Sequence, residues 1–159
     1  YGVFIYQPGD GRCVAVIQEI LAAMVGTIAF SLLFGVPRKY YAYCGLIGGA
    51  GWGVYSAAGL LWAPAQSALA ATIVVILLSR LAAVKERCPV TIFLISGIFP
   101  LVPGAGVYWT VYYMVTDQLY LAVQTGYTAV KVAVAIVLGI VFVFELPQGL
   151  FRALVGRRR

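Results

Sequence analysis

Two prolines and a glycine interrupt an apolar run near the middle of the chain. Residues 88–116 carry no charge, so the run exceeds the roughly 20 residues that a helix needs to cross a bilayer. Pro100 and Pro103 lack the N–H groups that would bond carbonyls four residues earlier, and Gly104 permits backbone angles that other residues avoid. Unpaired backbone groups are tolerated inside a membrane only where protein or a wet cavity covers them. The break therefore predicts a binding site whose flanking helix ends face a polar substrate, as in secondary transporters, or else a plain proline kink.

Two charged side chains lie inside other apolar runs, where ionisable residues are functional candidates by default. Lys131 falls near the middle of the last run, and we expect it to neutralise an anionic substrate or to form a structural ion pair, for instance with Glu19. Further residues share its helical face: Gln124, Tyr127, Thr128 and Ala135. We expect this face to point into the bundle or into a cavity. Glu19, near the start of the first run, is a candidate coupling or gate residue, unless it simply reaches interfacial water.

An aromatic cluster follows the break, with members Tyr108, Trp109, Tyr112 and Tyr113. Most of these rings are expected to form the outer aromatic belt of a membrane protein. Tyr108 is close enough to Gly104 in sequence to contact a ligand at the break. We therefore add Tyr108 to the predicted substrate-binding residues.

Composition excludes several kinds of chemistry. The 159 residues are 63% hydrophobic and 10% charged, which indicates an all-α membrane protein rather than a soluble domain. Histidine is absent and the three cysteines lie far apart, so we expect no metal site, no cofactor and no histidine-dependent catalysis. Most of the charged residues behind the net charge of +6 flank apolar segments. We therefore interpret them as signals of membrane topology rather than as a nucleic-acid-binding surface.

The charge pattern predicts five transmembrane helices. The first covers residues 14–36, and residues 40–79 would give about 60 Å of helix, enough for a hairpin that turns at 62–65 and ends at Arg80. The broken fourth span would run over 89–115 and the fifth over 120–144. Residues 1–13 would then be an extracytoplasmic segment, and residues 14–159 a single transporter domain with a short basic cytoplasmic tail.

Basic residues indicate the orientation of these spans. Nine fall on one side, and only Arg12 falls on the other. The nine are Arg38, Lys39, Arg80, Lys85, Arg87, Arg152, Arg157, Arg158 and Arg159. Because positively charged loops remain in the cytoplasm, we expect the N-terminus outside and the C-terminus inside. A re-entrant break would put the tail and the Lys85 connection on opposite sides, so the charges favour a broken helix that crosses the membrane.

Glycines repeat at four-residue spacing in the second predicted span, at Gly45, Gly49 and Gly53. Small residues on one helical face allow another backbone to approach closely. The pattern predicts helix packing, with a glycine-lined pathway as the alternative.

The chain resembles the threonine/serine exporter family, and more narrowly its C-terminal domain, which often occurs as a separate small subunit. The resemblance rests on residues 34–38 (FGVPR), the glycine-rich segment 44–53, the FPLVPG element at 99–104 and the LPQG element at 146–149. It implies an inner-membrane exporter of small hydroxy amino acids or dicarboxylates that works with a larger membrane subunit. Gly35 departs from the asparagine that the family often has at that position.

We therefore predict one half of a bacterial secondary exporter for threonine and serine or for a dicarboxylate such as succinate, assembled with a larger subunit or as a homo-oligomer. The chain has no internal inverted repeat, so the other half would come from a partner or a second copy. The alternatives are a scaffold subunit whose glycine face and basic tail are partner contacts, a pore, or an intramembrane enzyme using Ser96 with Lys131.

Overall fold

The chain folds as a bundle of helices. The computed structural model describes residues 11–145, and this part contains helices and turns but no strand. The six α-helices are α1 (Gly11–Leu33), α2 (Tyr41–Ala58), α3 (Pro64–Glu86), α4 (Thr91–Ile98), α5 (Gly104–Val115) and α6 (Leu119–Phe144). The basic tail and most of the predicted extracytoplasmic segment lie outside the described residues. Helix α1 begins three residues before the predicted first span.

Three of these helices are long and apolar enough to cross a membrane by themselves, namely α1, α3 and α6. Helices α4 and α5 meet the same criterion together, bent by 45° at the break, which makes up to four spans. The predicted count of five is not confirmed. Helix α2 falls short because its 18 residues are rich in glycine, which contributes little hydrophobicity.

The predicted hairpin is present, with one correction at its end. Pro64 is the first residue of α3, where its missing N–H costs nothing. Helix α3 does not end at Arg80 but continues to Glu86, and Arg87 then adopts a left-handed conformation with φ of 52°. The N–H of Cys88 closes this end by donating to the carbonyl of Ala83 at 3.1 Å.

Gly35 ends helix α1 in the same manner. Its φ is +67°, and the N–H groups of Gly35 and Val36 donate to the carbonyls of Leu32 and Ser31 at 3.1 and 3.0 Å. Asparagine is the residue that best replaces glycine in this left-handed conformation. The asparagine that the family resemblance implies at this position would therefore fit the same backbone conformation.

Helices α2 and α3 form the centre of the bundle. Helix α1 packs on α2, α4 packs on α1, α2 and α3, and α6 packs on both α3 and α5. The fully buried side chains of Cys44, Val75 and Phe93 lie in this core, joined from α6 by Val132 and Ile136. The core thus includes α4 and the middle of α6.

The repeated glycines of α2 face α1. A Cβ on Gly49 would collide with the side chain of Met24. Cβ atoms on Gly45 and Gly53 would lie 3.0 and 3.5 Å from Ile28 and Ile20, respectively. The same chain therefore occupies this face, and the close helix contact needs residues without side chains.

Candidate functional site

The break between α4 and α5 is a single turn of tighter helix followed by a kink. Phe99–Leu101 form the 3-10 turn, and Val102 then takes an extended conformation before α5 begins. The N–H of Val102 donates to the carbonyl of Phe99 at 3.2 Å. The expectation that Pro103 leaves this carbonyl without a donor is therefore wrong, because the tighter turn supplies one.

Gly104 is not needed for unusual backbone angles. Within residues 11–145, positive φ values occur only at Gly35, Arg87 and Asp117. A Cβ built on Gly104 would meet nothing within 4 Å, and the residue is exposed. Gly104 thus leaves open space at the first turn of α5.

The break separates a buried half-helix from an exposed one. On the α4 side, a Cβ on Gly97 would lie 2.9 Å from Ile47 and 3.3 Å from Val75, so α4 is tightly held by α2 and α3. The ring of Phe99 stacks on that of Phe30 with centroids 3.6 Å apart, and Pro100 and Pro103 are half-buried. Helix α5, by contrast, contains no buried residue.

The packing of α5 on α6 fixes the depth of Lys131. A Cβ on Gly106 would lie 3.1 Å from the Cβ of Ala129, and a Cβ on Gly126 would lie 3.1 Å from Thr110. Since the two helices run in opposite directions, Lys131 is level with Gly104. It also lies halfway along the 26 residues of α6, about 20 Å from either end.

Lys131 nevertheless points away from the rest of the chain. It is exposed, whereas its neighbour Val132 is buried in the core, and its ammonium lies 4.5 Å from the centre of the Tyr127 ring. Gln124, Tyr127 and Thr128 are exposed as well, and we call these three residues together with Lys131 the polar face of α6. The expectation that this face points into the bundle is wrong for the single chain. Lys131 and the break share a depth, but Lys131, two residues after the α5-facing Ala129, lies on the opposite side of α6.

Glu19 pairs with a residue other than Lys131. The half-buried carboxylate accepts a hydrogen bond from the indole N–H of Trp52 at 3.2 Å. This contact joins α1 to α2 near the start of α1. An ion pair between Glu19 and Lys131 is therefore not present.

The predicted Ser96–Lys131 pair is also not formed. Ser96 is 1% exposed, and its hydroxyl donates to the carbonyl of Ile92 at 3.0 Å. Lys131 lies on the outer side of α6, so the structure does not bring a nucleophile and a base together at these two residues.

Tyr108 lies among other aromatic rings of α5. Tyr108 is 63% exposed. The centroid of its ring lies 5.4 Å from that of Trp109 and 6.5 Å from that of Tyr112. It is one turn beyond Gly104 on the same exposed helix. Its position is compatible with a ligand at the break, although its ring contacts are those of an aromatic belt.

Arg80 has a structural position that the sequence did not reveal. It is only 5% exposed, and its guanidinium donates to the carbonyl of Val143 at 2.7 Å. The same group lies 5.3 Å from the centre of the Phe144 ring. Arg80 therefore caps the last turn of α6 from α3, where a cation interacts favourably with the helix dipole. In the sequence, this buried position of Arg80 is signalled only by its being a lone arginine within an apolar helix.

These features define a helical membrane protein with an interrupted span and a lysine at mid-depth, an arrangement typical of transporters. The family model described as "Threonine/Serine exporter, ThrE" matches residues 19–145. The chain therefore belongs to the threonine/serine exporter family, as its sequence motifs indicated. No solved structure matches it.

Proposed function

We propose that this protein is one half of a secondary exporter and that the polar face of α6 contacts the substrate at the surface where the other half docks. The observation that supports this most strongly is the exposure of Lys131 halfway along an apolar helix. A second membrane subunit covers this face in the assembled transporter. The larger subunit of the same family is the first candidate, and a second copy of this chain is the alternative.

The energetics of a buried charge support a protein cover rather than lipid. A lysine at the centre of a membrane helix costs about 3 kcal/mol on insertion scales, and more when it cannot reach water. Reaching the nearer end of α6 would require spanning about 20 Å, far beyond the length of a lysine side chain. A docked subunit lowers this cost by supplying a polar cavity or an anionic ligand.

The chemistry of the polar face suits a small anionic or zwitterionic substrate. The Lys131 ammonium provides the charge for a carboxylate, and the hydroxyls of Tyr127 and Thr128 provide hydrogen bonds for a second polar group. Threonine and serine meet both requirements, as does a dicarboxylate such as succinate. The membership in an exporter family favours the hydroxy amino acids.

The break supplies the second part of the proposed site. Gly104 is open and level with Lys131, and the first N–H groups of α5 are those of a helix N-terminus, which attracts anions. Pro100 and Pro103 hold the buried and exposed half-helices at their angle. Tyr108, one turn further along, would contact a substrate bound at the break.

The protein would lie in a bacterial inner membrane with its N-terminus outside and its C-terminus in the cytoplasm, following the distribution of basic residues. An ion gradient would drive export. Glu19 is the candidate coupling group because it is half-buried within a span and accepts a single hydrogen bond from Trp52.

A scaffold role has less support. It was expected to use the glycine face of α2 as a partner contact, yet α1 of the same chain packs on that face. The exposed polar face of α6 is a feature that a pure scaffold does not require.

Transport in proteoliposomes tests the proposal. The chain is reconstituted alone and with the larger subunit, and efflux of radiolabelled threonine, serine and succinate is measured. We expect saturable flux only when both subunits are present, and we expect Lys131→Gln to reduce it at least about tenfold, while Lys131→Arg retains part of it. Arg38→Gln, which removes an exposed charge outside the spans, is the matched control.

Two results would overturn parts of this proposal. Equal flux in the wild type and Lys131→Gln would remove the polar face from the substrate path. Saturable flux from this chain alone would replace the larger subunit by a second copy, and flux that rises without saturation would indicate a pore.

A further inference from the structure

A groove runs along the outer surface of the bundle between α2 and α3. Its volume is about 580 Å³. Its walls are almost entirely aliphatic, formed by Leu46, Ile47, Ala50, Leu78, Leu81 and Ala82. Leu46 is 61% exposed, so the groove opens to the surroundings of the helices rather than into the core.

One end of the groove is cationic. Lys85 and Tyr43 line this end, and the Lys85 ammonium donates to the Tyr43 hydroxyl at 3.2 Å. The Tyr43 hydroxyl in turn donates to a carboxylate oxygen of Glu86 at 3.1 Å. This chain of hydrogen bonds holds the ammonium over the groove while leaving Lys85 exposed.

Further positive charges surround this end. Helix α2 begins and α3 ends here, which places the exposed side chains of Arg38, Lys39, Lys85 and Arg87 at one end of the bundle, with Glu86 as the one acidic residue of α2 and α3. A hydrogen bond with Tyr40 raises the pKa of Lys39, so this residue stays charged at neutral pH. The groove thus joins an apolar channel to a basic rim.

We propose that this groove binds an anionic phospholipid, with one acyl chain along α2 and α3 and the headgroup phosphate on Lys85. Basic pockets between membrane helices recognise anionic headgroups, and the aliphatic walls match a hydrocarbon chain. A zwitterionic lipid would bring its own cation against the basic rim. A helix from another protein would need an acidic side chain of its own to match the basic rim, and free phosphate would make no use of the aliphatic walls.

This site is independent of the proposed transport path. It uses α2 and α3, whereas the polar face belongs to α6 and the break lies between α4 and α5. Failure of one proposal therefore leaves the other untouched.

Lipid retention by the full chain tests the charge at the rim. The purified protein in detergent is titrated with dioleoylphosphatidylglycerol or with dioleoylphosphatidylcholine, and bound lipid is counted by native mass spectrometry. We expect about fivefold tighter binding of the phosphatidylglycerol, and we expect Lys85→Gln to abolish this preference. Arg38→Gln removes an equal charge from the rim without lining the groove, and it should weaken the preference less than Lys85→Gln does.

A second pair of variants tests the groove itself. Ala50→Phe fills the groove, and we expect it to reduce retention of the phosphatidylglycerol at least about fivefold. Ala57→Phe enlarges another exposed position of α2 outside the groove and should retain the lipid like the wild type. Melting temperatures of the two variants identify any general loss of folding.

Three results would overturn the proposal. The first is equal retention of both lipids by the wild type, and the second is displacement of the phosphatidylglycerol by equimolar inorganic phosphate. The third is unchanged lipid retention in Ala50→Phe together with dissociation of a dimer, which would show that a second copy of the chain occupies the groove.

Discussion

Ala129 of α6 packs directly against Gly106 of α5, and this contact places Lys131 level with Gly104. A Cβ on Gly106 would lie 3.1 Å from that of Ala129, so the two helices approach as closely as their backbones allow. The open first turn of α5 and the mid-span lysine therefore share one depth. The two parts of the proposed substrate site therefore lie at one depth but on different sides of α6.

A larger side chain at Gly106 should separate these two parts. We expect Gly106→Val to push α5 away from α6 and to reduce flux roughly tenfold, because small displacements of binding groups have large effects. The core should survive, since α5 contributes no buried residue to it. Ala105→Val, at an exposed neighbouring position, is the control for flux and for melting temperature. Equal flux in both variants would contradict the importance of this contact.

The packing of α2 on α1 predicts a difference between two glycine-to-alanine changes. A Cβ on Gly48 would collide with Thr27, a fully buried and β-branched residue whose hydroxyl donates to the carbonyl of Ala23 at 2.7 Å. We expect Gly48→Ala to lower the free energy of unfolding by about 1–3 kcal/mol. Gly26→Ala, where a Cβ meets nothing within 4 Å, should be neutral or should stabilise α1 by up to about 1 kcal/mol. Thermal unfolding in detergent measures both, and equal melting temperatures would refute this packing.

The buried guanidinium of Arg80 should stabilise the junction of α3 and α6. Replacement by methionine removes the hydrogen bond to the Val143 carbonyl, and we expect it to cost about 2 kcal/mol. Arg38→Met, at an exposed position, should change stability by no more than about 0.5 kcal/mol. Unfolding by denaturant in mixed micelles gives both values, and equal midpoints would contradict a stabilising role for Arg80.

Glu19 offers a test of coupling. Glutamine keeps an oxygen that accepts the hydrogen bond from Trp52 but removes the ionisable group, so Glu19→Gln should fold normally. If Glu19 couples transport to protons, efflux driven by a pH gradient should fall at least about tenfold while substrate exchange without a gradient persists. Trp52→Phe, which removes the donor but keeps the carboxylate, should retain gradient-driven efflux. An unchanged response to the gradient in Glu19→Gln would exclude the coupling role.

Much of the fold follows from the sequence because strong local signals mark its helices. Pro64 marks the start of α3, and the apolar stretch after Gln118 gives α6 almost to the residue. The end of α3 was misplaced because Arg80, Lys85 and Glu86 were interpreted as the boundary of the helix. Charged side chains at a helix end can reach water while the backbone remains helical, and Arg80 instead finds a partner on α6.

The candidate site was predictable in its residues but not in its arrangement. Helical spacing correctly grouped Gln124, Tyr127, Thr128 and Lys131 on one exposed face, whereas Ala135, expected on the same face, is buried. Periodicity determines which residues lie near one another along a helix. It does not determine which neighbour that face meets. Within the single chain that face is exposed, because α3 and α5 pack on the other sides of α6.

We propose that a second membrane subunit covers the polar face of α6. Photo-crosslinking in native membranes can show directly what contacts this face. A photoreactive amino acid is placed at Thr128 and, as the control, at Val25, which is 67% exposed on α1. We expect the probe at Thr128 to crosslink to the larger subunit or to a second copy of the chain, and the probe at Val25 to crosslink to lipid. Crosslinks from both positions to lipid alone would contradict the proposal.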